Sequence, residues 1–142
     1  MDGTEKNEKA EVKKIPKPNN MFIIEPDEEK DFFKWWCILL RAFVPLTNRE
    51  IDVMASFLRR RWALSKHISD LSILDTMLMS EDTKKKVQEE CNITLQHFYV
   101  VMSNLRKNGI IVNNTINPRL IPNYKSDDED YRLTVCFKKK KA

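Results

Sequence analysis

Between Thr47 and Trp62 the apolar positions recur at helical spacing. Ile51, Met54, Ala55, Leu58 and Trp62 fall at i, i+3, i+4, i+7 and i+11, one face of a 3.6-residue helix. The start is punctuated. Thr47 stands where an N-cap hydroxyl accepts a backbone N–H, Glu50 three residues on completes a capping box, and Leu46 and Ile51 flank the cap as a hydrophobic staple. A second stripe, Phe98, Val101, Met102 and Leu105, follows Thr94 as N-cap, with Ile93 and Phe98 as its staple. Gly109 ends it, because a left-handed helix stop favours the residue that has no Cβ.

The other segments read less sharply. Glu25, Asp27, Glu28, Glu29 and Asp31 load the start of a segment that Pro45 stops, so a helix is predicted over about 27–43. Its second half carries Trp35, Trp36, Cys37, Ile38, Leu39, Leu40 and Phe43, apolar on every side, and such a helix must be covered on every side. Either the core covers it, or a face holding Trp35 or Trp36 meets another chain, since aromatic anchors are enriched at interfaces. "ISDLSILDTMLMS" reads as a short helix or helical loop. Ser80 then caps "EDTKKKVQEE", with Val87 and Cys91 inward and Lys84, Lys85 and Lys86 outward. Beyond Gly109, "IIV" begins a strand, and "YRLTVCF", Tyr131 to Phe137, alternates as a second. The two are joined by the long, proline-marked "NNTINPRLIPNYKSDDED". The expected class is mainly α with a small β-hairpin.

A chain of 142 residues suits one domain. Residues 1–20 mix Lys and Glu with Pro16 and Pro18 and read as a charged arm, flexible or held by a partner. The domain then runs over 21–137, and 138–142 form a basic tail. "MFII", Met21 to Ile24, is a short apolar run able to dock on the core or add a strand to a neighbour, which makes Phe22 and Ile23 candidate partner contacts. The net charge is +4, which the four lysines Lys138 to Lys141 supply in full. The body is therefore neutral, and bulk charge is no argument for nucleic acid.

Candidate chemistry is sparse. Three cysteines without a CxxC pair and two histidines suggest neither a disulfide framework nor a metal site, and fit a reducing intracellular setting. The first residues contain no apolar run of the kind a secretory signal needs. "WWCILLRAFV" contains Arg41 and is far shorter than the roughly 20 residues of a membrane span, so no membrane insertion is expected. With only Gly3 and Gly109, Gly-rich phosphate loops are excluded. No Ser-centred elbow and no spaced His–acid pair occurs. No catalysis, cofactor, metal or small-molecule substrate is expected, and His97 reads as an ordinary packed or surface histidine.

The order of capped helix, helix, turn, helix and hairpin resembles the winged helix-turn-helix domain. "LTNREIDVMASFL" resembles the opening of the helix-turn-helix in response-regulator output domains, from which the insertion between Arg61 and Ser80 departs. Paired with "ITLQHFYVVMSNLRKNGIIVNNTINPRLIP", it is similar to small proteins of crAss-like and related tailed bacteriophages, over about Leu46 to Pro122. That resemblance implies a DNA-binding regulator or a small virion component, such as a ring protein of the neck or tail, and so a location in the virion or the host cytoplasm.

The second helix of the turn separates the two. Gln96, His97 and Ser103 are its candidate base readers, yet its first half offers no Arg or Lys for guanine, and Tyr99 and Val100 face outward as protein contacts do. Arg106 and Lys107 stand at the far end, where they also suit the helix dipole. Arg59, Arg60, Arg61, Lys84, Lys85 and Lys86 are candidate contacts to phosphate or an acidic partner, or else solvated faces. Asp127, Asp128, Glu129 and Asp130 fall in the expected wing and would repel a phosphate backbone. The sequence therefore favours a non-enzymatic assembly protein, partnered by its own copies and neighbouring virion proteins. The second expectation is a regulator that binds duplex DNA.

Overall fold

The computed structural model describes residues 21–140. The charged arm 1–20 and the last two residues of the basic tail lie outside the described residues. Five helices, α1 (Phe32–Leu40), α2 (Asn48–Ser65), α3 (Leu71–Leu78), α4 (Glu81–Glu90) and α5 (Leu95–Lys107), precede a two-stranded antiparallel hairpin. Its strands are β1 (Ile111–Val112) and β2 (Thr115–Ile116), and a 3-10 turn follows at Pro118–Leu120. The chain is mainly helical with a small hairpin, as its patterning predicts.

The central element is α2, not α1. Ile51, Val53, Met54, Ala55, Phe57 and Leu58 are all at most 2% exposed. Helices α1, α3, α4 and α5 all pack against α2. A side chain such as Phe57 contributes about 1.5–3 kcal/mol by leaving water. The expected capping box is present: the Thr47 hydroxyl accepts from the Glu50 N–H, and the Glu50 carboxylate accepts from the Thr47 N–H at 3.0 Å. Glu50 is itself buried, and its second oxygen accepts from Asn104 of α5 at 3.3 Å. One carboxylate thus closes a helix start and ties two helices together.

Helix α1 is shorter than 27–43. Asp31 is its N-cap, and its carboxylate accepts from the Lys34 N–H. Asp27 instead accepts from the backbone of Glu29 and Lys30 in a separate bend. Acids near a helix start can cap local turns as well as the helix itself. Only Phe33, Trp36, Cys37 and Leu40 are buried, at i, i+3, i+4 and i+7, while Leu39 and Phe43 stay exposed. The helix is covered on one face rather than all round.

The hairpin also differs from expectation. Its second strand is Thr115–Ile116, in register Ile111 with Ile116 and Val112 with Thr115. Tyr131–Phe137 forms no strand. Asn113 and Asn114 both have positive φ, 53° and 59°, the signature of a two-residue type I′ turn. Asparagine tolerates that conformation, so a two-residue loop closes where a far longer connection was expected. The acidic run Asp127–Asp130 is therefore not part of the hairpin. It lies between Tyr124 and Tyr131, whose rings sit 4.1 and 4.9 Å from Phe32 of α1. Trp36 donates its indole N–H to the Leu120 carbonyl at 2.9 Å and locks the chain after the hairpin onto α1.

Candidate functional site

The candidate site is the outward face of α5 together with the turns that hold it. The turn from α4 to α5 spans Cys91 to Thr94. Asn92 takes positive φ there, 53°; its N–H reaches the Glu89 carbonyl at 3.1 Å, and the Ile93 N–H reaches Gln88 at 3.4 Å. This paired closure is the Schellman pattern. The Thr94 hydroxyl then accepts from the His97 N–H and starts α5. Helix α5 ends in the same way. Gly109 has φ of 74°, its N–H reaches the Arg106 carbonyl, and the Ile110 N–H reaches Leu105 at 2.9 Å. A Cβ at Gly109 would meet nothing within 4 Å, so the glycine is required by backbone conformation and not by space.

Between these closures Phe98, Val101, Met102 and Leu105 face the core. Outside that stripe Leu95 (53% exposed), Tyr99 (56%) and Val100 (53%) are open, with Gln96, Ser103, Arg106 and Lys107 beside them. Val112 of β1 is exposed as well. Gln96, Tyr99 or Val100, Ser103 and Lys107 follow one another at helical spacing, so they share one face. His97 is exposed. The first half of this face sets Gln96 beside Tyr99 and Val100 and carries no Arg or Lys, and its cations cluster at the C-terminal end, where they meet the helix dipole.

The other candidate residues divide. Trp36 is only 9% exposed and hydrogen-bonded, so it is a core residue and not a surface anchor. Trp35 is half-buried, with the Lys30 ammonium 5.8 Å from its ring. Phe22 and Ile23 are exposed in an irregular stretch ahead of α1.

The arginine run is used internally. Arg59 holds Asp31 through two nitrogens, at 2.6 and 3.2 Å, and reaches Glu90 at 2.7 Å. Arg60 meets the other Glu90 oxygen at 2.8 Å, which also accepts from Ser56. Arg61 lies 3.5 Å from Asp75 of α3. These pairs stitch α2 to α1, α3 and α4, and none of the three guanidinium groups is left without an acid. Of the lysine run, Lys84 is half-buried against Glu81, correcting its expected exposure, Lys86 pairs with Asp82, and Lys85 is exposed.

Burial works against ionisation of Asp31, but the Arg59 guanidinium and the Lys34 N–H outweigh it and hold its carboxyl below the ordinary aspartate range. Burial, reinforced by the Asp31 charge, pushes the Cys37 thiol up to about 12. Among the described residues no three His, Cys, Asp or Glu side chains are grouped to hold a metal ion, and no helix is long and apolar enough to cross a membrane. No family model, curated protein or solved structure matches the chain.

Sequence reading missed several exposed apolar positions. Leu95 stands three residues before Phe98 and seven before Met102, so helical period places it with the buried stripe, yet it is 53% exposed. Leu133, Val135 and Phe137 belong to the run whose alternation predicts a strand, yet all three are exposed and none lies in a strand.

Proposed function

We propose that this protein is a non-enzymatic assembly component, built on a winged helix-turn-helix arrangement of α2, α4, α5 and the β1–β2 hairpin. The resemblance to small tailed-phage proteins suggests a virion setting, as a ring or connector subunit of the neck or tail. The observation that carries the reading is the first half of the outward face of α5. Where a DNA reader presents a set of Arg, Lys, Asn or Gln to base edges, the first half of this helix presents Gln96 alone of that set, beside the exposed Leu95, Tyr99 and Val100. Half-exposed Tyr with aliphatic neighbours suits burial against protein, with a polar rim from Gln96, Ser103 and Lys107. The irregular stretch with Phe22 and Ile23 supplies a second apolar contact. The occupation of Arg59, Arg60 and Arg61 by carboxylates removes the strongest candidate phosphate cluster.

The test is mass spectrometry of particles purified from a culture that makes the protein, beside light scattering of the purified chain. The expected result is the protein in the particles and an oligomer in solution. Absence from particles together with a monomer at all concentrations would sink the reading.

One observation favours a second reading, a sequence-specific DNA-binding regulator. The hairpin tip is the neutral pair Asn113 and Asn114, so the acidic run no longer stands where a wing meets phosphate. A regulator would bind a duplex with affinity falling steeply as salt rises. Replacing Gln96 and Arg106 by alanine would then abolish that binding.

A further inference from the structure

The segment Tyr131–Phe137 has the strongest strand signature in the chain, yet pairs with no strand among the described residues. Tyr, Leu, Thr, Val and Phe favour a pleated, half-buried surface, and Tyr131, Leu133, Val135 and Phe137 alternate onto one side. Arg132 through Lys140 are all exposed and make no backbone hydrogen bond among the described residues. Phe137 is 87% exposed. Only Tyr131 is anchored, its ring 4.9 Å from Phe32 and 5.9 Å from Trp36 of α1. A row of unpaired N–H and C=O groups beside an apolar face is a template for another strand.

The flanking charges select that strand. Asp128, Glu129 and Asp130 precede the segment and Lys138, Lys139 and Lys140 follow it, all six exposed. We propose that residues 131–137 pair antiparallel with the same residues of a second copy of this chain, about a two-fold axis through Thr134. That register sets Leu133 opposite Val135 and Tyr131 opposite Phe137 of the other copy. It brings the acidic turn of each chain alongside the lysines of the other. A parallel pairing would set acid beside acid and lysine beside lysine, which is unfavourable. A two-residue slip in either direction sets a charged residue across from Tyr131 or Phe137, and a one-residue slip moves the apolar set to the opposite face. The partner's phenylalanine then lies beside Tyr131, on the aromatic floor of α1. Such a contact is isologous, the same patch on both copies.

This rests on the assembly reading in one respect, that the chain meets its own copies, and its test is separable from that reading. Two full-length charge variants are compared with the wild type by light scattering over a concentration series. One carries Asp128→Lys, Glu129→Lys and Asp130→Lys; the other carries Lys138→Glu, Lys139→Glu and Lys140→Glu. Each alone sets like charges together, and its dimer dissociation constant rises by roughly tenfold or more at low salt. Mixing the two restores pairing as a heterodimer. Register is read by disulfide formation in a Cys136→Ser background. Thr134→Cys sets two thiols across from each other and links copies under mild oxidation, whereas Lys138→Cys, whose partner position is Asp130, does not. Far-UV circular dichroism checks that each variant folds, as exposed positions outside the core should allow. An oligomer indifferent to both charge variants, or equal cross-linking at Thr134→Cys and Lys138→Cys, overturns the pairing and leaves assembly through other surfaces standing. A monomer at every concentration overturns the pairing, and together with absence from particles it overturns the assembly reading as well.

Discussion

Helices α2 and α5 begin by the same device but serve opposite ends. Both start on a threonine N-cap with a staple residue before it. In α2 the run from Glu50 to Leu58 is buried almost without a gap, except for the half-buried Asp52. In α5 only Phe98, Val101, Met102 and Leu105 are buried, and the far side is open. The helix enclosed by four neighbours holds the fold together, whereas the helix enclosed on one side presents a surface. Capping chemistry therefore says where a helix lies along the chain and nothing about how many sides it will have covered.

The largest test of that contrast is Phe57→Ala in α2. Removing a fully buried aromatic is expected to cost about 3–5 kcal/mol in denaturant unfolding. A loss near zero would mean that α2 is not the centre. Asp31→Ala comes next, since it removes the cap of α1 and the acid that Arg59 holds; a loss of about 1–2 kcal/mol is expected. The same group gives a pH dependence. Its folded pKa is lowered, so its stabilisation is fully present above the ordinary aspartate range and is lost as pH falls through the lowered folded value. Wild-type stability should drop more across that acid window than the stability of Asp31→Ala, as read by urea unfolding at each pH.

Gly109→Ala is smaller. There is room for the methyl group, but φ of 74° is strained for any L side chain, and a cost of about 1 kcal/mol is expected. A neutral result would show that the Schellman closure of α5 relaxes without consequence. Smallest in stability is Tyr99→Ala on the open face, expected within about 0.5 kcal/mol of wild type. If the outward face serves assembly, the same substitution still weakens oligomerisation or particle incorporation. A stability loss as large as that of Phe57→Ala would erase the distinction between the two helices.

How far the sequence could be read depended on the range of the interactions involved. The Thr47–Glu50 capping box, the Thr94 cap and the Gly109 stop were legible because each is satisfied within a few residues. The core stripe of α5 was legible because burial on one side leaves a clean helical period. Val53 and Phe57 fell outside the stripe read for α2, since a helix covered by several partners loses its period. The hairpin was misplaced because a seven-residue alternating run outweighed the two asparagines that actually turn the chain. The candidate site was legible at Tyr99 and Val100, but the arginine run was not. Whether Arg59 meets phosphate or Asp31 depends on a carboxylate 28 positions away.

By itself, then, the sequence determined the helix boundaries at 47, 94 and 109, the mainly helical class and the neutral body with its basic tail. These are set by local hydrogen bonds, side-chain period and charge. The tertiary structure decided which helix is central, that Trp36 is held by the Leu120 carbonyl, and that the arginine run is consumed by acids from α1, α3 and α4. It also decided that Leu133, Val135 and Phe137 are left in the open. Those outcomes depend on which surfaces meet across long stretches of chain, and no spacing along the sequence encodes such a meeting.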